Sequence, residues 1–397
     1  MIPYEFTRYV SEVVRDPEVS VTPGAARPRL NVVLPHVLRE FAFGGVVSAL
    51  ELALHIGRHY EDIRFLSLAP LDGRPTFDLT ECLVRPGEQR ATLEAVPEAG
   101  PLACHEREVF LCTYWPSVLL WEAYERAMAG QGRYAAPFYY FIQDFEPGFY
   151  PFGAKHARSL ATYGHGERCV AVFNSSSLAA HFDGLGLVFS RGHVLKPSLN
   201  PALRAYLEER GHVLPPKPED RIAILAYGRP EQPRNCFPVI LEGLRRFVLA
   251  MPEAERGKYM LLSAGQPHED ILLAPGAPLK SLGKLPIERY AAVLSFAHVG
   301  VSLMVSPHPS YPPLEMAAFG LVTITNRFGA KDISASHPLI ASLDLPEPAA
   351  LARELPRAVE RAKALLGRPV RSEIPDCMDP RPWAEGLAEL DIEAIPA

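Results

Sequence analysis

Short runs of β-branched and leucine residues alternate along this chain with segments of helical period, and that alternation narrows the choice of folds more than any other feature. LNVVLPHV (30–37) passes through REFAFGG into VVSALELALHIGRHY, and DIRFLSLAP follows. A continuous apolar run of this length fits a strand buried on both faces, and apolar residues three and four apart fit a helix packed on one side. Strand, helix, strand is the unit of a doubly wound parallel sheet. EVFLCTYW, PFYYFIQD and CVAVFNS continue the pattern, the first and last leading into SVLLWEAYERAMA and SLAAHFDGL.

The rhythm breaks over LKPSLNPALRAYLEERGHVLPPKPED (195–220), rich in proline and charge, and then restarts. RIAILAYG, KYMLLSAG, VGVSLMVS and LVTITNR read as strands; FPVILEGLRRFVLAM, PIERYAAVLSFA and PPLEMAAFG read as helices. The expectation is two α/β domains, 1–196 and 197–376, facing each other across a cleft. A closing helix in 377–397 is separate from the second sheet and expected to pack back on the first domain. A length of 397 residues, long for a single core, agrees with two domains.

A net charge of −6 and the lack of any dense Lys/Arg run exclude an electrostatic footprint for nucleic acid. The six cysteines (Cys82, Cys104, Cys112, Cys169, Cys236 and Cys377) show neither CxxC pairs nor finger spacing, so buried thiols in a reducing cytoplasm are expected. The opening MIPYEFTRYVSEVVRD has charges throughout, unlike a secretory leader. No apolar run approaches the roughly 18 residues that span a bilayer, while attachment to the inner face of a membrane stays open.

Ligands of open parallel sheets sit beyond the carboxyl ends of the strands, at helix N-termini. Gly44 and Gly45 occupy such a place in the first half, where glycine lets backbone approach a ligand; a tight turn is the plain alternative. The dinucleotide fingerprint GxGxxG is missing. In the second half RIAILAYG is followed by RPEQPRN, so Arg229 and Arg234 leave one strand end, and their guanidinium forks suit a diphosphate. The stretch PHPSYPPLE then offers His308, backbone N–H groups at Ser310 and Tyr311 for phosphate oxygens, a helix start near Pro312, and Glu315 for two ribose hydroxyls. Solvated arginines and a carboxylate that only complements a helix dipole are the structural alternatives. Gln143, Asp144, Glu146 and Tyr150 follow PFYYFI and are expected at the cleft as contacts to acceptor or donor hydroxyls, with Tyr150 and Phe149 offering ring faces. Asp144-x-Glu146 also raises the acidic metal-binding motif of GT-A glycosyltransferases.

The order of these features resembles a GT-B glycosyltransferase of the retaining family-four type: the glycine pair, a strand ending in GR with a cation five residues later, GKLPIERYAAVLSFAHV, and a loop ending in LEMAAFG. QDFEPGFYPFG (143–153) and FNSS (173–176) resemble more specifically the WsaF-type rhamnosyltransferases of bacterial surface polysaccharide assembly. The resemblance implies two Rossmann-like domains, an acceptor side in 1–196 and a nucleotide-sugar side in 197–376. It implies a dTDP- or UDP-sugar donor, bound with help from Gly44 and Gly45 and with no other cofactor or metal, a glycan or lipid-linked glycan acceptor, and transfer with retention. Arg229 matches the diphosphate arginine, Arg234 stands at the usual lysine, and both carry the catalytic charge stabilisation. Glu315 matches the ribose glutamate, whereas the first glutamate of the E-x7-E motif is replaced by Pro307. Asp144 and Glu146 are the remaining catalytic candidates. Two other readings stay open, a sugar-nucleotide epimerase of the same fold and a two-domain binding protein without chemistry.

Overall fold

The computed structural model describes residues 16–24, 27–38, 45–71, 73, 75–76 and 90–397. The chain divides into two compact units, Met1–Leu195 with Trp383–Ala397, and Lys196–Pro382.

The first unit is built on a seven-stranded parallel sheet: β1 (Arg29–Leu34), β2 (Asp62–Ser67), β3 (Arg90–Ala95), β4 (Glu108–Cys112), β5 (Phe138–Ile142), β6 (Cys169–Phe173) and β7 (Arg191–Val194). Their spatial order is β3-β2-β1-β4-β5-β6-β7. The winding therefore reverses between β1 and β4, and in such sheets ligands bind at that switch point. Helices α1 (Gly45–Gly57), α2 (Trp115–Ala129), α3 (Ala154–Ala161) and α4 (Ser176–Gly184) belong to this unit. Leu30, Val32, Ile56, Phe65 and Phe141 fill one face of the sheet; Val33, Phe110, Trp121, Tyr140 and Phe182 fill the other.

The central strands are fully buried, which is why they read so clearly as apolar runs. The sequence pattern missed β3 (RATLEA) and β7 (RGHV), and for one reason: each forms an edge, half exposed, with charges and small residues among few apolar ones. The amino end of the sheet holds a buried charge network. Glu108 is paired with Arg29, accepts from Asn31 Nδ2 at 2.7 Å, and lies 3.6 Å from Arg64, whose Nε donates to Asn31 at 2.7 Å.

The second unit repeats the plan with β8 (Ile222–Gly228), β9 (Tyr259–Gly265), β10 (Ile271–Ala274), β11 (Ala277–Gly283), β12 (Val299–Val301), β13 (Val322–Asn326) and β14 (Ile340–Leu343). The order is β10-β11-β9-β8-β12-β13-β14, parallel except for the β10–β11 pair, so the switch point falls between β8 and β12. Its helices are α5 (Pro201–Glu208), α6 (Phe237–Leu249), α7 (Ile287–Phe296), α8 (Tyr311–Ala318) and α9 (Pro348–Lys363). The proline-rich connector thus contains α5, entered through Asn200, whose Oδ1 accepts the Ala202 N–H at 3.0 Å, and through a proline at the first helical position. The expected strand VGVSLMVS stops at Val301, because Ser302 onwards turns into the loop before α8.

The last helix, α10 (Trp383–Ala388), belongs to the first unit. Leu387, Ile392 and Ile395 join the core under α1, and the Ile395 N–H donates to the Tyr139 hydroxyl at 2.8 Å.

Candidate functional site

In the second unit the two loops at the switch point carry the predicted residues. One leaves β8 with Arg229 and Arg234; the other leaves β12 and enters α8, with Glu315 one turn inside. A backbone bond joins them, Val305 N–H to Arg234 C=O at 2.8 Å. Tyr227, two residues before Arg229, is half-buried, and burial raises its phenol, with the charges of Arg229, Glu315 and Arg234 all near enough to act on it. Glu315 is 8% exposed, and burial pushes its carboxyl up to about 7. The Tyr290 hydroxyl of α7 holds it down, facing it closely without a hydrogen bond of good geometry. Arg229, Arg234 and Glu315 therefore stand on two adjoining loops, with Tyr227 and Tyr290 nearby. A buried carboxyl raised this far beside a phenol is a candidate for function.

Backbone strain concentrates here. Cys236 (φ 53°) and Ser310 (φ 69°) are two of the three non-glycine residues with positive φ among the described residues. Both sit in these loops, next to Arg234 and at the start of α8. Side chains other than glycine, asparagine and aspartate rarely adopt that region, and such strain collects at ligand sites. Glycine is required where β8 and β9 end side by side. A Cβ on Gly265 would lie 2.4 Å from the Gly228 carbonyl, and one on Gly228 would lie 2.0 Å from Ser263 Oγ.

The start of α8 departs from the expectation of two free phosphate donors. The Ser310 N–H is already given to His308 Nδ1 at 3.0 Å. The helix begins at Tyr311, and Pro312 and Pro313 have no N–H to offer, so its anion-binding capacity is far below that of an ordinary N-terminus. The same bond makes Nδ1 of His308 an acceptor and leaves the proton of the neutral ring on Nε2. His308 is 6% exposed and its ring lies 5.6 Å from that of Tyr311, so it is an ordered part of the turn.

In the first unit Gly44 lies outside the described residues, but Gly45 opens α1 at the switch point. A Cβ there would stand 2.3 Å from Gln143 Oε1, so the glycine leaves room for the Gln143 amide, whose Nε2 in turn reaches the Thr113 carbonyl at 3.4 Å. Gly45, Thr113 and Gln143 thus meet at the carboxyl ends of β1, β4 and β5.

Glu146 and Tyr150 differ from expectation. Glu146 Oε2 accepts the N–H of Trp115, the first residue of α2, at 2.6 Å, with the hydroxyls of Tyr140 and Tyr163 each at 3.5 Å. It caps a helix within its own unit instead of facing an open cleft. Burial pushes it up to about 8; the Trp115 N–H opposes that, and the Asp144 charge adds to it. Asp144, 8% exposed, accepts its neighbour Phe145's N–H at 2.8 Å. Oε2 of Glu146 is thus engaged by the start of α2. Tyr150 accepts Trp115 Nε1–H at 3.0 Å and packs edge-on against that ring, leaving Phe149 and the 95%-exposed Phe152 as the solvent-facing rings of this loop.

The family models described as WsaF, N-terminal domain, and WsaF, C-terminal domain, match residues 29–176 and 222–356. The chain belongs to the WsaF family. The first match covers β1 to β6 and the second β8 to β14. An O-antigen biosynthesis protein, RfbC of Myxococcus xanthus, is 30% identical over 230 residues, which is 57% of this chain and 17% of that protein. The chain therefore spans about a sixth of that curated relative. Among solved structures, WaaG, a glycosyltransferase involved in lipopolysaccharide biosynthesis, superposes with a TM-score of 0.52 at 14% identity, covering 90% of this chain and 94% of that one. An E. coli trehalose-6-phosphate structure bound with UDP-2-fluoro glucose gives 0.51 at 12% identity, covering 91% and 94%. These likenesses show the GT-B fold.

Sequence reasoning missed Tyr227, Tyr290, Asn326 and Lys331, which surround the second-unit loops. Tyr227 had a local signal, an aromatic hydroxyl at the end of a buried strand directly before Gly228-Arg229. The others reach the site only through tertiary packing.

Proposed function

We propose that this WsaF-family protein is a glycosyltransferase of polysaccharide assembly that moves a sugar from a nucleoside diphosphate to a glycan acceptor. The observation that carries the reading is that Arg229, Arg234 and Glu315 sit on the two loops at the switch point of the second sheet, loops tied together by the Val305–Arg234 backbone bond. Breaking the anomeric C–O bond loads negative charge on the departing diphosphate, and two preorganised guanidinium groups at that oxygen cluster stabilise it. Glu315 takes the ribose hydroxyls, and Gly265 with residues 281–285 borders the base. The first unit presents the acceptor at Gln143 and Asp144.

The finer assignment follows the resemblance: L-rhamnose from a dTDP- or UDP-sugar, transferred with retention, the arginines neutralising charge in place of a metal. Replacement of the sugar-binding glutamate by Pro307 supports a deoxysugar, which has fewer hydroxyls to hold. In a retaining displacement on the leaving-group face, a phosphate oxygen takes the acceptor's proton, so no protein base is needed. A lipid-linked glycan is the preferred acceptor, met at the cytoplasmic face of a membrane; no helix among the described residues is long and apolar enough to cross one.

The test is sugar release from dTDP-rhamnose, UDP-glucose and GDP-mannose with and without a lipid-linked acceptor, in EDTA. Acceptor-dependent transfer supports the reading. Isomerised sugar without acceptor identifies an epimerase, and tight nucleotide binding without product identifies a binding protein.

A further inference from the structure

Lys331 is 1% exposed and belongs to none of the roles above. It stands in the loop leaving β13, which is third in the row β8-β12-β13, so its strand end adjoins the two that carry the site. Its Nζ donates to the Met304 carbonyl at 2.6 Å. Asn326, the last residue of β13, grips the same residue from the other side, accepting the Met304 N–H at 2.7 Å and donating to its carbonyl at 3.1 Å. Met304 is followed by Val305, whose N–H is bonded to the Arg234 carbonyl at 2.8 Å. One hydrogen-bonded chain therefore runs across three neighbouring strand ends, from Lys331 through Met304 and Val305 to Arg234. The lysine's charge also reaches Cys236, the strained residue two positions beyond Arg234.

A solvated loop would be fixed as well by Asn326 alone. A lysine brought into the interior loses its hydration, and its charge, little screened there, acts over longer distances than a surface one. We propose that Lys331 is the third cation of the diphosphate site, a positioning residue that tightens the Met304–Arg234 chain and adds its charge from beneath the loop, so that the site selects diphosphates over monophosphates and nucleosides. This rests on the donor-binding reading of the second unit.

The experiment is calorimetric titration of thymidine, dTMP and dTDP, with uridine, UMP and UDP in parallel, into the full chain. Wild type is compared with Lys331→Gln, which keeps a donor for Met304 but no charge, with Lys331→Arg, and with Asn326→Ala, which cuts the same clamp but leaves the charge. Lys331→Gln is expected to weaken the diphosphate about 10-fold, the monophosphate about 3-fold and the nucleoside less than about 2-fold. Lys331→Arg is expected to keep the diphosphate preference, and Asn326→Ala to weaken all three alike. An equal loss for all three ligands in Lys331→Gln, or no loss, overturns the proposal and leaves the donor site standing. Failure of wild type to bind either diphosphate overturns both. Should Lys331→Gln not fold by circular dichroism, Lys331→Met is scored by the same ratios, and loss of the preference in a folded Lys331→Arg also counts against the proposal.

Discussion

The two units share one plan and treat the same position oppositely. At the switch point of the first sheet polar groups are used up within the unit: Glu146 closes the start of α2, Tyr150 takes the Trp115 indole N–H, and Gln143, packed against Gly45, reaches the Thr113 carbonyl. At the switch point of the second, the adjoining loops carry two arginines, a buried carboxyl and two strained backbone positions, with a buried lysine bonded to one of them through Met304. Hydrogen bonds closed within the fold rigidify a surface. A concentration of charge held in place by the fold costs free energy and persists where a charged ligand repays it. The same topology thus yields a stiff, mostly neutral face suited to a sugar and a charged face suited to a diphosphate.

The largest expected effect falls on the charged side. Arg229→Ala and Arg234→Ala should each lower kcat/KM for sugar transfer about 100-fold, near 3 kcal/mol, in line with the loss of a preorganised donor. Thermal unfolding should move little, since neither side chain belongs to the apolar core. A loss of stability matching the loss of activity would make these arginines structural and erase the contrast between the units.

Glu315→Gln comes next, with nucleotide binding weakened about 30-fold at pH 8, or about 2 kcal/mol. The carboxyl sits at about 7 in the folded protein, above the ordinary 4.5, so the empty fold holds its proton where the unfolded chain releases it. Two opposite pH trends follow. Nucleotide affinity of the wild type should rise as pH climbs through 7, because ionised Glu315 is the better acceptor for ribose hydroxyls. Stability of the unliganded wild type relative to Glu315→Gln should fall over the same climb, from about 4.5 to 7. Titration and chemical denaturation across pH 5–8 read both, and flat difference curves would deny the buried carboxyl.

On the neutral side, Gly45→Ala forces a methyl onto Gln143 Oε1. Activity should drop about 10-fold, and adding Gln143→Ala should recover part of it if the clash is the cause. A fully additive double mutant would separate the two residues. The smallest effect belongs to Glu146. Its carboxyl, raised to about 8, adds stability at low pH that is lost as pH rises from the usual carboxylate range through 8. Glu146→Gln keeps an acceptor for the Trp115 N–H and should be the more stable protein at pH 8, with no difference at pH 4. Equal stability at both pH values would mean the carboxylate is solvated and free to serve a ligand after all.

This contrast also marks how far the sequence could be read. Buried parallel strands announce themselves because both faces are apolar, so the two domains and the loops carrying Arg229, Arg234 and Glu315 were legible from residue order alone. What stayed hidden depends on partners distant in sequence. Nothing local says that Glu146 meets the N–H of Trp115, that the Ser310 N–H is spent on His308, or that Lys331 and Asn326 grip Met304. The edge strands 90–95 and 191–194 were lost for a related reason, since exposed strands need no apolar pattern.

The most direct trial is a crystal structure of the full chain soaked with dTDP or UDP. The diphosphate is predicted between the Arg229 and Arg234 guanidinium groups, with the ribose hydroxyls on Glu315 and the base toward Gly265. A nucleotide bound instead at Gly45 and Gln143, with the second-unit arginines unengaged, would contradict the division of labour between the two units.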